Sequence, residues 1–115
     1  MSYAVAIRFK PEPVRSLSFA SISPVYMGVG TPVNHVIRQF LIWNLTDSLM
    51  MFSLNGVDDH FPVPAGSFFL NDITSNKSVA QGWFLAEGER LYVRDIGVGA
   101  TDGSVYFSVF YGFEV

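Results

Sequence analysis

The chain has 115 residues, half of them hydrophobic and 16% aromatic, with a formal net charge of −3 and no cysteine. That length holds one domain, and the lack of Cys removes disulfides and thiolate metal sites. The seven Lys and Arg residues are scattered, so no basic stripe follows a phosphate backbone, and no apolar run approaches the roughly 18 residues of a spanning helix; neither nucleic acid nor membrane is an expected partner.

The opening MSYAVAIRFKPEPVRS places Arg8 and Lys10 after its short apolar stretch, the reverse of a signal peptide, so no cleaved leader is expected. Tyr3 to Phe9 alternates as a strand does. FKPEPVRSLSFASISPVYMGVGTPVNH then carries four of the six prolines. Proline fixes its own φ and removes a ladder donor, so this segment predicts short edge strands and extended stretches. Residues 1–32 read as an arm with edge strands, lying over its own sandwich or, in an assembly, across a neighbouring subunit. Residues 33–115 read as the sandwich core.

From there strands and turns alternate. VIRQFLIWNL (Val36 to Leu45) ends at the turn signal Asn44-Leu45-Thr46-Asp47. LMMFSL (Leu49 to Leu54) runs to Asn55-Gly56, the strongest short hairpin cue in the chain. FPVP leads through Ala65-Gly66 to the strand SFFLND, and SVAQGWFLA runs to Glu87-Gly88. RLYVRDIGV sets Leu91 and Val93 on one face with Tyr92 and Arg94 on the other. After Thr101-Asp102-Gly103, Val105, Phe107, Val109 and Tyr111 alternate with Tyr106, Ser108 and Phe110. No window, including Val33 to Ile42, has the pattern of an amphipathic helix. Turn signals about every 8–12 residues predict an all-β, single-domain β-sandwich or barrel.

Few side chains point to chemistry. Asp58-Asp59-His60 could ligate a metal, but a catalytic zinc takes about three protein ligands, and neighbours in an extended loop point in opposite directions. The other histidine, His35, completes no His-x-His pair of the kind a cupin metal site needs, so the tip reads as a solvated loop. Asn71, Asp72, Thr74 and Asn76 alternate oxygen donors without matching a calcium loop. No G-x-S-x-G is present, Glu87 and Glu89 bracket a turn glycine, and GVGT at Gly28 to Thr31 lacks the ending of a phosphate loop. No cofactor or enzymatic activity is expected. Trp43, Trp83, Tyr92, Tyr106 and Tyr111 supply rings that could stack on sugars, although alternation assigns most of them to core filling.

Three stretches together resemble a family of small virion proteins from tailed bacteriophages: RSLSFASISPVYMGVGTPVNHVIRQFLIWNLTD (Arg15 to Asp47), FSLNGVDDHFPVPAGSFFLNDITSNK (Phe52 to Lys77) and GERLYVRDIGVGATDGSVYFSVFYG (Gly88 to Gly112). The resemblance implies a jelly-roll-like β-sandwich in the virion, assembled in the host cytoplasm, with no active site to carry over. It implies a capsid decoration or cement protein acting as a homo-oligomer on the major capsid protein, or a neck, tail or head-fibre component bound to neck proteins. A carbohydrate-binding sandwich is the alternative of another class. The residues expected at a protein interface are Phe19, Tyr26 and Met27 in the arm, Asn55, Asp58, Asp59 and His60 at the hairpin tip, and Tyr106 and Phe110, where aromatic rings are left facing outward.

Overall fold

A computed structural model of the protein describes residues 7–72 and 85–114. Among these residues all the extended elements are antiparallel strands, and the one helical element is a single 3-10 turn, Phe19–Ser21. The strands are β1 (Ile7–Pro11), β2 (Arg15–Ser18), β3 (Met27–Gly28), β4 (Ile37–Asn44), β5 (Met50–Ser53), β6 (Phe61–Val63), β7 (Ser67–Asp72), β8 (Tyr92–Asp95) and β9 (Ser104–Glu114).

They form two sheets. The first has the order β1-β9-β4-β7, with β2 also on β9, and the second has the order β3-β8-β5-β6. β1 and β2 are two halves of one edge strand. Pro11 faces Phe110 and Arg15 faces Phe107, so Glu12, Pro13 and Val14 stand against only Ser108 and Val109, which is a bulge. The prolines fit here because an edge strand does not need every N–H, and the Glu12 N–H still reaches the Val109 carbonyl at 3.1 Å.

With β1 and β2 counted as one, the pairing is nested: first with last (β9), β3 with β8, β4 with β7, and β5 with β6. β4 on β9 and β5 on β8 then wrap this long hairpin into two layers. That connectivity is a jelly roll. The expected β-sandwich is therefore present, and the described part of the proline-containing leading segment supplies edge strands to both sheets.

Alternation explains the layering. In β4 the buried residues Ile37, Phe40 and Ile42 face the second sheet, where Met50, Phe52, Leu91 and Val93 meet them; Val105, Phe107 and Val109 of β9 complete the core. Phe40 is its hub, with ring centroids 5.9 Å from Phe107, 6.1 Å from Phe69 and 6.3 Å from Phe61. Each such ring contributes roughly 1.5–3 kcal/mol by leaving water, enough to stabilise the fold without covalent links.

Two polar clusters hold the ends of the sandwich. At the bulge, the Glu12 side chain is 2% exposed and accepts from Arg15 at 2.7 Å, from the Asn34 N–H at 3.0 Å and from His35 Nδ1 at 2.6 Å. Arg15 also donates to the carbonyls of Thr31 and Pro32, and His35 stacks on Tyr111 with centroids 3.7 Å apart. The connection from β3 to β4 is thereby tied to the edge strand. At the other cluster, Asn44 is wholly buried and donates to the carbonyls of Ser48 and Val63 while accepting from the Thr46 N–H and hydroxyl.

Asn55-Gly56 opens the hairpin connection between β5 and β6, as its turn signal led one to expect. A two-residue turn of the tightest hairpin kind needs positive φ at both residues, but only Gly56 has it, at 74°. The connection instead runs from Leu54 to His60, because the Asn55 Oδ1 accepts the N–H groups of Val57 and Asp58 and the Ser53 hydroxyl accepts those of Asn55 and Gly56. Most of SVAQGWFLA, with Trp83, lies outside the described residues, as do Tyr3, Thr74 and Asn76; Leu85 forms an isolated bridge with Ile37.

Candidate functional site

Two surfaces collect the residues expected at a contact. The first lies outside the second sheet. Tyr26, just before β3, donates its hydroxyl to Asp59 in the β5–β6 loop, and Arg94 on β8 grips the same carboxylate through two nitrogens at 2.8 and 3.2 Å. The guanidinium also sits 5.5 Å above the Tyr26 ring. Residues far apart in the chain thus meet because β8 carries Arg94 outward beside both segments.

The electrostatics follow from those contacts. Hydrogen bonds from Arg94 and Tyr26 hold the Asp59 carboxyl below its ordinary range. Burial, with the neighbouring Asp59 charge, raises the Tyr26 phenol above its own. Pro24, Val25, Val57 and Asp58 rim an open cleft of about 600 Å³ beside the clamp. The tip Asp58-Asp59-His60 does not converge: Asp58 accepts from Asn55 Nδ2 at 2.8 Å, Asp59 faces Arg94, and His60 Nδ1 accepts the Leu54 N–H at 3.0 Å. The Leu54 N–H thereby occupies the Nδ1 lone pair of His60. Among the described residues no three His, Cys, Asp or Glu side chains group as metal ligands do.

The arrangement is a clamp on the loop, and it has a measurable consequence. Asp59→Asn is expected to lower the Tyr26 pKa toward its ordinary value in an ultraviolet titration. It should also speed amide exchange at residues 55–60, with little change in the β4 and β9 core.

The second surface is the outer face of the first sheet. Trp43 of β4 lies between Tyr106 of β9 and Phe68 of β7 in one cross-strand row, and its ring is 5.0 Å from that of Phe68. In the next row Leu41 lies between Ser108 and Leu70, and beyond it Gln39 lies between Phe110 and Asp72. Phe68 and Leu70 are each 56% exposed. Leu41, Trp43, Tyr106 and Phe110 are half-buried by their neighbours. Tyr106 and Phe110 thus stand on one face, joined by Trp43, which the sequence offered among its sugar-stacking rings, and by Leu41, Phe68 and Leu70, which it did not single out.

A signal for those residues was present. FLIW and FFL (Phe68 to Leu70) are unbroken apolar runs, and a strand solvated on one face alternates instead. Of the remaining candidates, Met27 is 47% exposed on the edge strand β3, and Phe19 is half-buried in the 3-10 turn. Tyr92 stands on the opposite sheet, 5.7 Å from the Arg90 guanidinium, and Tyr111 packs inward against the core, so neither joins the ring row. Compared with known proteins, the chain matches no family model and no curated protein.

Proposed function

We propose that this protein is a structural component of a tailed-bacteriophage virion that performs no reaction and acts by covering area, most specifically as a decoration protein on the capsid shell. One observation carries the reading. The core between the two sheets is already closed, yet a second apolar face, Leu41, Trp43, Phe68, Leu70, Tyr106 and Phe110, remains on the outside of the first sheet. Contiguous apolar patches of this kind on soluble proteins mark contact surfaces. The jelly-roll connectivity and the sequence resemblance support the virion setting. A weak contact repeated by symmetry over a shell gains strength from multivalency without any new interaction.

The row Tyr106, Trp43, Phe68 also favours a second reading, a carbohydrate-binding module. Its rings lean on one another, with Trp43 and Phe68 tilted by 38°, and form one continuous apolar surface in place of separate flat platforms. That geometry suits a protein partner better. Co-sedimentation of the purified protein with purified shells, alongside Trp43→Glu, tests the function. Saturable binding of hundreds of copies, lost in the variant, is expected. A dozen or fewer copies would place the protein at the neck. No binding to any virion part, together with glycan affinity for the isolated protein, would overturn the structural reading.

A further inference from the structure

The pair Asn55-Gly56 carries chemistry of its own beyond the turn it forms. An asparagine side chain is open to attack by the main-chain nitrogen of the next residue, and glycine leaves that approach clear because it has no Cβ. Asn55 is the only asparagine in the chain that precedes a glycine, and it is exposed to the water that completes the reaction.

The folded loop holds both reacting groups. Asn55 Oδ1 accepts from the Ser53 hydroxyl at 2.9 Å and from the N–H groups of Val57 and Asp58 at 2.9 and 2.8 Å. Its Nδ2 donates to Asp58 Oδ2 at 2.8 Å. The Gly56 N–H, on the attacking nitrogen, donates to Ser53 Oγ at 3.0 Å. Gly56 also lies against the Tyr92 ring, so near that a Cβ would stand 3.3 Å from it. Asp59 then fastens the same loop to Tyr26 and Arg94.

We infer that Asn55 is a site of spontaneous deamidation, and that the Tyr26–Asp59–Arg94 clamp sets its rate by keeping the loop closed. The Gly56 nitrogen attacks Asn55 Cγ and forms a new C–N bond. The Cγ–Nδ2 bond breaks, and Nδ2 leaves as ammonia with the proton that Gly56 gave up. The resulting five-membered succinimide takes up one water. Addition at Cγ gives aspartate, and addition at the main-chain carbonyl carbon gives isoaspartate, in which the chain runs through the former side chain. The chemistry is independent of the virion setting.

Ring closure cannot keep the bonds of the closed loop. Asp58 loses the Nδ2 donor, Ser53 loses the Gly56 N–H, and Cγ must swing to the main chain, drawing Oδ1 from its three donors. The reaction therefore runs through an opened loop, and its rate scales with the fraction open. Neither product restores the closed form. An aspartate at position 55 sets a second carboxylate where an amide had donated to Asp58, and like charges side by side oppose closure. Isoaspartate adds a main-chain methylene and displaces the acceptor around which Val57 and Asp58 turn. Conversion is one-way, slow while Asp59 is gripped, and it leaves a loop that no longer closes.

Peptide mapping by mass spectrometry, on full-length protein incubated at neutral pH, is the test, with circular dichroism to show that each variant is folded. The chain unfolded in urea should accumulate the acid at position 55. The folded wild type should convert about tenfold or more slowly, by a factor that matches the hydrogen-exchange protection of the Gly56 N–H, because the same bond to Ser53 must open in both. Asp59→Asn should convert about two- to fivefold faster than wild type, as loosening an exposed ion pair implies. Tyr26→Phe, which deletes one bond to Asp59, should fall between them. Asn55→Asp should speed amide exchange at residues 55–60 and leave the β4 and β9 core protected.

An unfolded chain that kept its amide would remove the site. Folded protein converting as fast as unfolded, or faster, would overturn the gating, as would wild-type rates in both Asp59→Asn and Tyr26→Phe. Unchanged loop exchange in Asn55→Asp would show that conversion does not release the loop.

Discussion

Replacing Glu12 by glutamine is expected to cost about 3–5 kcal/mol of stability at neutral pH, because it leaves the Arg15 guanidinium buried without its charge partner. Arg15 is 7% exposed, and its remaining contacts are carbonyls of Pro13, Thr31 and Pro32. Domains of this size are stable by about 5–15 kcal/mol, so the loss would show directly as a lower urea midpoint. Making both positions apolar, Glu12→Leu with Arg15→Met, should recover much of it, since no buried charge then remains. If Glu12→Gln were as stable as wild type, the bulge cluster would not be what fastens β1 and β2 to the sandwich.

The same residue sets an acid limit. Burial by itself would raise the Glu12 pKa, but hydrogen bonds from His35, Arg15 and the Asn34 N–H, with the Arg15 charge, outweigh it and hold the folded value below 4.5. A carboxylate with a lower pKa folded than unfolded contributes its full stabilisation above the unfolded value. That contribution is lost as pH falls through the folded one. Asp95 acts in the same direction: burial opposes its ionisation, but Ser48 and the N–H groups of Gly97, Ala100 and Gly99 overcome this. Stability should therefore decline below pH about 4.5, and the decline should be shallower in Glu12→Gln than in wild type when denaturant curves are compared at each pH.

The second large effect is expected at Asn44. Asn44→Ala removes a side chain whose four hydrogen bonds are made in full burial; the Val63 carbonyl and the Thr46 N–H lose their side-chain partner, and the Ser48 carbonyl keeps only the Thr46 hydroxyl at 3.2 Å. Each buried orphan costs about 1–3 kcal/mol, so a total near 3–5 kcal/mol is expected after some relaxation of the β4–β5 turn. Asn44→Asp is the sharper experiment. It keeps the volume but sets a carboxylate oxygen against two carbonyl oxygens, so it should be at least as damaging at pH 7 and should recover in part on acidification. Calorimetry at two pH values would show this; equal melting temperatures for wild type and Asn44→Asp at pH 7 would contradict the network.

Some of this architecture was legible in the residue order. Alternation in SVYFSVFYG followed from the two-residue period of a strand, which is a local property. So did the turns at Asn44 to Asp47 and Thr101 to Gly103: Gly103 adopts φ of 90°, and a Cβ there would lie 2.0 Å from the Leu45 carbonyl oxygen. The prolines near the start marked edge strands because a missing N–H is tolerated only there. The Asn55-Gly56 signal marked the β5–β6 hairpin, and the Ser53 and Asn55 side chains set its length by capturing backbone N–H groups that a tight turn would have paired across strands.

Period and turn chemistry, set by near neighbours, were thus determined by the sequence itself, and with them the all-β class and the sandwich. The nesting of first strand on last, the burial of Glu12 and Arg15 beside His35, the meeting of Tyr26 with Asp59 and Arg94, and the row of Tyr106, Trp43 and Phe68 across β9, β4 and β7 were decided only in three dimensions. Each depends on which strands become neighbours, and that follows from the packing of the whole core. No short window of residues carries it.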